Sequence, residues 1–298
     1  MPRGIPKNGV RAKRGTAGYG KYAKAQVMTA PIAPLVKVTN ETDAQIEQKL
    51  NDRFDILELM TKSAMTGSTR AMIVSGPPGL GKSFTVEQIA DAYEKTKKGK
   101  VAICKGYIRP TGLYKTLYNH SQKGDVVIFD DCDAVFMDHD ALNLLKAACD
   151  TTDKRTLFWG AETRMVDDGG DLVPTQFAFQ GSVIFITNYD FDYAIESGHR
   201  LGEHFSALVS RSHYISMGMR SQRDYLVRIK QVVKAGMLKD RGLSQHEIND
   251  IVEFVFENAD KLRELTLRVV IKLADLYKVH PTRWNAIARQ TMFKPVRS

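Results

Sequence analysis

Two short stretches, GPPGLGKS at residues 76–83 and VVIFDD at 126–131, have the residue types and spacing to handle a polyphosphate. In the first, Gly76, Gly79 and Gly81 let successive backbone N–H groups turn inward around a β-phosphate, with Pro77, Pro78 and Leu80 completing the loop. Lys82 is spaced to reach the β- and γ-oxygens, and Ser83 to offer its hydroxyl to Mg²⁺. Phe84 continues into a helix whose N-terminal partial charge favours an anion. In the second stretch, four apolar residues bury a strand so that its carboxylates emerge beside the phosphates. Asp130 suits Mg²⁺ held through its water shell. Asp131 suits a carboxylate that orients and deprotonates an attacking water. Aspartate is one methylene shorter than glutamate, so at this position either the water is held closer or the reaction is slow. Asp133 reads as a cap for the next helix rather than as a nucleotide contact.

Elements around these motifs must bring them together. Residues 71–75 (AMIVS) read as a buried strand before the glycine-rich loop, and 84–93 as the helix after it. Further apolar runs at 101–104, 126–131 and 182–188 read as three more strands, with helices at 113–118 and 140–148 between them. Short apolar strands alternating with helices predict an α/β fold, a parallel sheet sandwiched by helices. Ahead of the sheet, 33–38 reads as a linker and 42–65 as a helix capped by Asn or Thr, with Ile46, Leu50, Phe54, Ile56, Leu57 and Met60 as its apolar face. Residues 155–159 and 176–180 flank a polar loop and read as a hairpin that turns near Gly169 and Gly170. Beyond Met219 strand signals stop. Amphipathic stretches at 222–235, 244–258, 262–277 and 282–292 then predict a small all-α lid domain, with Ser244 and Glu247 forming a capping box. The expected organisation is an N-terminal arm and linker at 1–40, a large domain at 41–219 with an insertion at 154–181, and a helical domain at 220–298.

Composition narrows the function classes. With 298 residues, 43% hydrophobic and 26% charged, the chain matches globular usage and exceeds a single domain of about 100–150 residues. No apolar run approaches the roughly 18 residues of a membrane span, and the N-terminus lacks a secretory apolar core, so a cytoplasmic protein without membrane contact is expected. Cys104, Cys132 and Cys149 have no CxxC spacing, which argues against zinc and fits a reducing compartment. The net charge of +9 is concentrated at the start: Arg3, Lys7, Arg11, Lys13, Arg14, Lys21 and Lys24 precede the first acid, Glu41. Rich in glycine and poor in large apolar residues, this segment reads as a flexible arm suited to nucleic-acid phosphates, with Tyr19 and Tyr22 able to stack on bases. A solubilising tail is the plain alternative.

GPPGLGKS, VVIFDD, FITN ending at Asn188, LVSRS with Arg211 and LTLR with Arg268 occur in the order of Walker A, Walker B, sensor 1, arginine finger and sensor 2, and over about residues 42–292 the chain resembles AAA+ ATPases. The resemblance implies ATP and Mg²⁺ as cofactors and an ATPase activity in which Lys82, Asp131, Asn188 and Arg211 are catalytic. An amide at Asn188 offers a donor and an acceptor to the γ-phosphate or the attacking water. Arg211 would enter a neighbouring subunit's site, and Arg268 would report nucleotide state to the lid. Two departures stand out: Ser212 follows Arg211 where the clamp-loader pattern has cysteine, and Thr266 stands where glycine is common. Arg200 and Arg220 are alternative fingers, and Arg263 an alternative to Arg268.

By the same resemblance, residues 105–114 occupy the place of a loop facing a central pore, so that Tyr107, Ile108 and Arg109 would grip a polymer, whether polypeptide or stacked bases. The insertion takes the place of a hairpin before sensor 1, but Asp167, Asp168 and Asp171 at its tip argue against a phosphate-gripping wedge. The preferred expectation is a homo-oligomeric, hexameric ring that acts on DNA in replication, recombination or packaging through its basic arm. It resembles small stand-alone bacteriophage AAA+ proteins, which implies the host cytoplasm. A remodeller that threads a protein partner and a slow nucleotide-switched scaffold are the alternatives.

Overall fold

The computed structural model describes residues 40–160, 165–167, 169–219 and 221–295. The basic arm with Tyr19 and Tyr22, as well as Asp168 and Arg220, lies outside the described residues.

Apolar runs without polar alternation belong in the middle of a parallel sheet, where both faces are covered. β1 (Ala71–Ser75), β3 (Val126–Asp130) and β8 (Ser182–Thr187) are buried along their whole length. β2 (Val101–Lys105) and β9 (His213–Ser216) flank them and are partly exposed. The five strands are parallel, in the order β2-β3-β8-β1-β9. β9 is a strand that the sequence pattern did not predict. Four residues long, at a sheet edge, and ending in His213 and Ser216, it lacks the continuous apolar run that marks the others.

Side chains alternate between the two faces of the sheet. Met72, Val74, Val126, Ile128, Ile184 and Ile186 share one core with Ile46, Leu50, Leu57, Val86 and Ala90 from α1 (Asp43–Met65) and α2 (Lys82–Glu94). On the other face Phe129 and Phe185 stack at 5.4 Å. Phe136 extends this aromatic series to Phe191 on α5 (Phe191–Glu196), which stacks at 3.9 Å on Phe205 of α6 (Gly202–Val209). α3 (Pro110–Asn119) and α4 (His139–Ala148) follow β2 and β3.

Within the insertion, β4 (Thr156–Phe158) pairs antiparallel with β7 (Gln176–Ala178), and β5 (Met165–Val166) with β6 (Leu172–Val173) nearer the tip. C-terminal to β9, α7 (Gln222–Lys234), α8 (Gln245–Glu257), α9 (Leu267–Val279) and α10 (Trp284–Met292) pack around a separate core of Ile229, Ile251, Val255, Val270, Leu273 and Ala288. Each of the valine, leucine and isoleucine side chains contributes roughly 1.5–3 kcal/mol on full burial. Capping boxes at Ser221 and Ser244 fix the starts of α7 and α8.

Four helix starts differ from the periodicity by two residues or more, α3 opening at Pro110 rather than 113 and α10 at Trp284 rather than 282. α9 begins at Leu267 rather than 262, because Thr266 caps it and Leu262 instead forms an antiparallel bridge with Phe293. α2 begins at Lys82 rather than 84, because Gly81, at φ 101°, serves as its N-cap. No helix among the described residues is long and apolar enough to cross a membrane.

Candidate nucleotide site

The glycine-rich loop hangs from two strands. At its start Gly76 N–H donates to the Thr187 carbonyl at 3.2 Å, and Ser75 Oγ donates to the Tyr189 carbonyl at 2.6 Å. Gly79 is required twice over: its φ is +74°, and a Cβ there would stand 2.5 Å from Cβ of Thr266. Gly81 caps α2 without any side-chain hydrogen bond, so the N–H groups of the first turn, which have no intrahelical acceptor, are left available to an anion. Beside the loop, Pro77 and Pro78 line a cleft of about 540 Å³ together with Gln222, Tyr225, Thr266 and Lys294, a size usual for small-molecule sites.

Lys82 is only 5% exposed. Its Nζ donates to the carbonyls of Gly76 at 2.6 Å and Pro77 at 2.8 Å, and to Asn188 Oδ1 at 3.3 Å. Burial pushes its pKa down to about 8, against the pull of Asp131, Asp130 and Asp133 and with a small push from Arg268.

Because β3 lies beside β8, and β8 beside β1, their C-terminal ends bring the acids, Asn188 and the loop together. Ser83 Oγ donates to Asp130 Oδ1 at 2.7 Å. Lys105, register partner of Asp130 across β2 and β3, places Nζ 3.6 Å from Asp130 Oδ2 and 2.6 Å from Glu87 Oε1. Asp131 takes up left-handed backbone, φ +52°, a conformation aspartate tolerates better than most residues, and its N–H donates to the Ile186 carbonyl at 3.0 Å. Asn188 Nδ2 donates to Asp131 Oδ1 at 2.9 Å. A continuous chain Lys82–Asn188–Asp131 results.

Asp133 is not a helix cap. The short 3₁₀ turn Asp133–Met137 has no side-chain cap, and α4 is capped by Asp138, which accepts from the N–H groups of Asp140 and Ala141. Asp133 instead accepts from Thr187 Oγ1 at 2.6 Å. Burial pushes its pKa up to about 6; the Thr187 hydrogen bond opposes the shift and Asp131 adds to it. A folded pKa above the unfolded value of 3.8 means that the neutral carboxyl stabilises the native state at low pH, and that this contribution is lost as pH rises through about 6. Asp133→Asn is therefore expected to raise Tm at pH 7.5 by about 2–4 °C. At pH 4.5, below the folded pKa but above the unfolded one, the difference should shrink to about a third, and an equal difference at both pH values would contradict the assignment.

Other expected site residues lie apart from this cluster. Arg268, second residue of α9, is exposed, and the neighbouring Leu267 N–H donates to the Gly79 carbonyl at 3.0 Å, so the α9 N-terminus rests on the loop. Arg211 follows α6 at the N-terminal end of β9, whereas the loop follows the C-terminal end of the parallel β1, about 16 Å away along the strand direction. Its Nη1 donates to the Ala207 carbonyl at 2.7 Å. Tyr107, Ile108 and Arg109 follow β2, at the sheet edge with β3 and β8 between it and β1; Tyr107 is 72% exposed, Ile108 is half-buried and Arg109 is exposed. Phe84, one residue past the loop, is 65% exposed. Thr187, Lys105 and Arg228, whose Nε donates to the Leu80 carbonyl of the loop, were not anticipated at the site. Only the register of β2 against β3 puts Lys105 beside Asp130, and Thr187 stood unread beside Asn188.

The five-stranded order with the glycine-rich loop after β1, acids after β3, Asn188 after β8 and a helical C-terminal region defines a P-loop α/β fold of AAA+ type. The chain belongs to the same family as an uncharacterized 36.7 kDa protein from the nrdC-mobD intergenic region of Enterobacteria phage T4, with 32% identity over 254 residues, 85% of this chain and 77% of that protein. No protein-family model matches it. Among solved structures it is similar to domain III of the Thermotoga maritima replication initiation protein DnaA, with 13% identity, a TM-score of 0.49, and 88% of this chain and 100% of that one covered. It is also similar to the Aeropyrum pernix ORC1 protein in complex with DNA (11% identity, TM-score 0.43, 83% of this chain) and to Brucella abortus NtrX in complex with ATP (14%, 0.42, 90%). It spans 62% of the ORC1 chain and 56% of the NtrX chain.

Proposed function

We propose that the protein is a Mg²⁺-dependent ATPase of AAA+ class, active as a homo-oligomeric ring on DNA. The observation that carries this reading is the hydrogen-bonded chain Lys82–Asn188–Asp131 next to the Ser83–Asp130 pair. Such a chain joins a cation for phosphate oxygens to a carboxylate able to accept a proton. Lys82 binds the β- and γ-oxygens, and the N–H groups of the loop and first turn of α2 surround the β-phosphate. Asn188, donating to Oδ1 of Asp131, orients that carboxylate and leaves its other oxygen to receive the proton of the attacking water. Arg211 of another copy reaches the transferring phosphoryl, and Arg268 reports its presence to the helical region.

Mg²⁺ fits the oxygens present. Ser83 and Asp130 are hard donors 2.7 Å apart, and among the described residues no group of three His, Cys, Asp or Glu could hold a metal by itself. Mg²⁺ commonly takes one or two protein oxygens and completes its shell with substrate phosphates and water. Bound there, it supplies positive charge to the β- and γ-oxygens.

Residues 41–219 form the ATPase domain and 220–298 the lid in this reading. The exposed Tyr107 and Arg109, with Ile108, contact the polymer. The DNA part rests on the basic segment before Glu41. ATP turnover, measured on the full chain with and without single- and double-stranded DNA, is expected to rise with DNA and to lose that rise on deletion of residues 1–26. Absence of DNA binding by the full chain at moderate salt would reject a DNA substrate, and absence of ATP turnover would reject the ATPase.

Lys82 provides a second check. With burial holding its pKa near 8, an arriving triphosphate restores the ammonium, so ATP binding at pH 8 should take up roughly half a proton. Calorimetric titrations in buffers of different ionisation enthalpy should find uptake climbing between pH 7 and pH 9. A flat profile would contradict it.

A further inference from the structure

Arg228 on α7 is 148 residues from Leu80 in sequence, yet its Nε donates to the Leu80 carbonyl at 3.3 Å. Its guanidinium lies 3.6 Å from the centroid of the Phe54 ring on α1. Nη1 donates to Gln231 at 2.8 Å, and Gln231 donates to Asn51 of α1. Nη2 stands 3.6 Å from the point a Cβ on Gly81 would occupy. No Asp or Glu among the described residues is within ion-pair distance of Arg228. Burial pushes its pKa down to about 10. A half-buried cation without a counter-ion is a net cost to the fold that an anionic ligand would offset.

Peptide planarity gives this contact a direction. In a trans peptide the N–H points opposite to the C=O. The Gly79 carbonyl is held by the Leu267 N–H at the start of α9, and the Leu80 carbonyl by Arg228 of α7. With both carbonyls turned toward the helical region, the N–H groups of Leu80 and Gly81 turn the other way, into the loop.

We infer that Arg228 is a positioning residue for the polyphosphate: it holds the Leu80 carbonyl outward so that the Gly81 N–H faces the anion, and it makes the affinity of the loop depend on where α7 sits. The inference rests on the reading of the glycine-rich loop as a nucleotide site. Its charge adds to the field at the loop, with Phe54 keeping the guanidinium plane in place.

ADP binding to the full chain, followed by calorimetry beside the melting temperature of the nucleotide-free protein, tests this. Arg228→Met should weaken ADP roughly 10–100-fold, the loss of one charge-assisted hydrogen bond, while the nucleotide-free protein melts within a few degrees of wild type. A residue with only a structural role would lower the melting temperature along with affinity. Arg228→Lys, which keeps charge and a donor but not the planar stack, should recover part of the affinity. ADP affinity within threefold of wild type in Arg228→Met, with binding abolished in Lys82→Ala, overturns the inference and leaves the nucleotide site standing. Unchanged ADP affinity in Lys82→Ala overturns the site itself. A melting temperature that falls with affinity in Arg228→Met, with no recovery in Arg228→Lys, also overturns the inference.

Discussion

An Arg211→Ala variant is expected to lose about a thousandfold in ATP turnover while binding ATP within a fewfold of wild type, because an arginine that meets a transferring phosphoryl contributes in that range. The placement of Arg211 makes the prediction specific. It precedes β9, whereas the glycine-rich loop follows β1, and the two strands are parallel neighbours, so Arg211 sits at the end of its own sheet opposite the loop. Its tether to the Ala207 carbonyl holds it at the C-terminus of α6. In the proposed function an arginine so placed acts on another copy. Mixing Arg211→Ala with Lys82→Ala, each inactive alone, should therefore restore turnover at interfaces where the intact loop of one meets the intact arginine of the other. Normal turnover in Arg211→Ala alone, or no recovery on mixing, would refute the assignment.

For Asp131 the informative replacement is asparagine. Alanine would remove the carboxylate and also disturb backbone at φ +52°, where aspartate and asparagine are tolerated and other residues are strained by about 1–2 kcal/mol. Asparagine keeps an oxygen to accept from Asn188 and removes only the charge and the proton-accepting capacity. Asp131→Asn is expected to reduce kcat about 100–1000-fold with KM little changed, the pattern of a group used in the transition state rather than in binding. Asp131→Glu should not exceed wild type, since the longer side chain must start from the same left-handed backbone. Turnover within threefold of wild type in Asp131→Asn would instead favour a nucleotide-switched scaffold, in which hydrolysis is incidental.

Asp133 marks the boundary between local and tertiary information. An acid just before a helical stretch satisfies the local rule for a cap, but its partner is Thr187, 54 residues on, and α4 takes Asp138 instead. β9 stayed hidden because an edge strand of four residues gains its stability from pairing with β1 rather than from an apolar pattern of its own. Thr266 was visible only as a departure from a familiar glycine. In the fold its side chain packs over Gly79 while it caps α9.

What the chain's order of residues determined by itself is the glycine-rich loop, the acid pair after a buried strand, and the alternation of strands and helices, since each depends on neighbours within one turn or one strand. The positive-φ turns at Gly79 and Gly81 and the helix start after them follow from glycine, serine and lysine at fixed offsets, whereas the direction of the Leu80 and Gly81 N–H groups also depends on what holds the carbonyls before them. Tertiary structure alone decided which acid meets which hydroxyl, which lysine sits between Glu87 and Asp130, and which arginine holds the loop from 148 residues away. Those contacts join elements through sheet order and through the packing of α7 and α9 on the loop, and no local spacing encodes them.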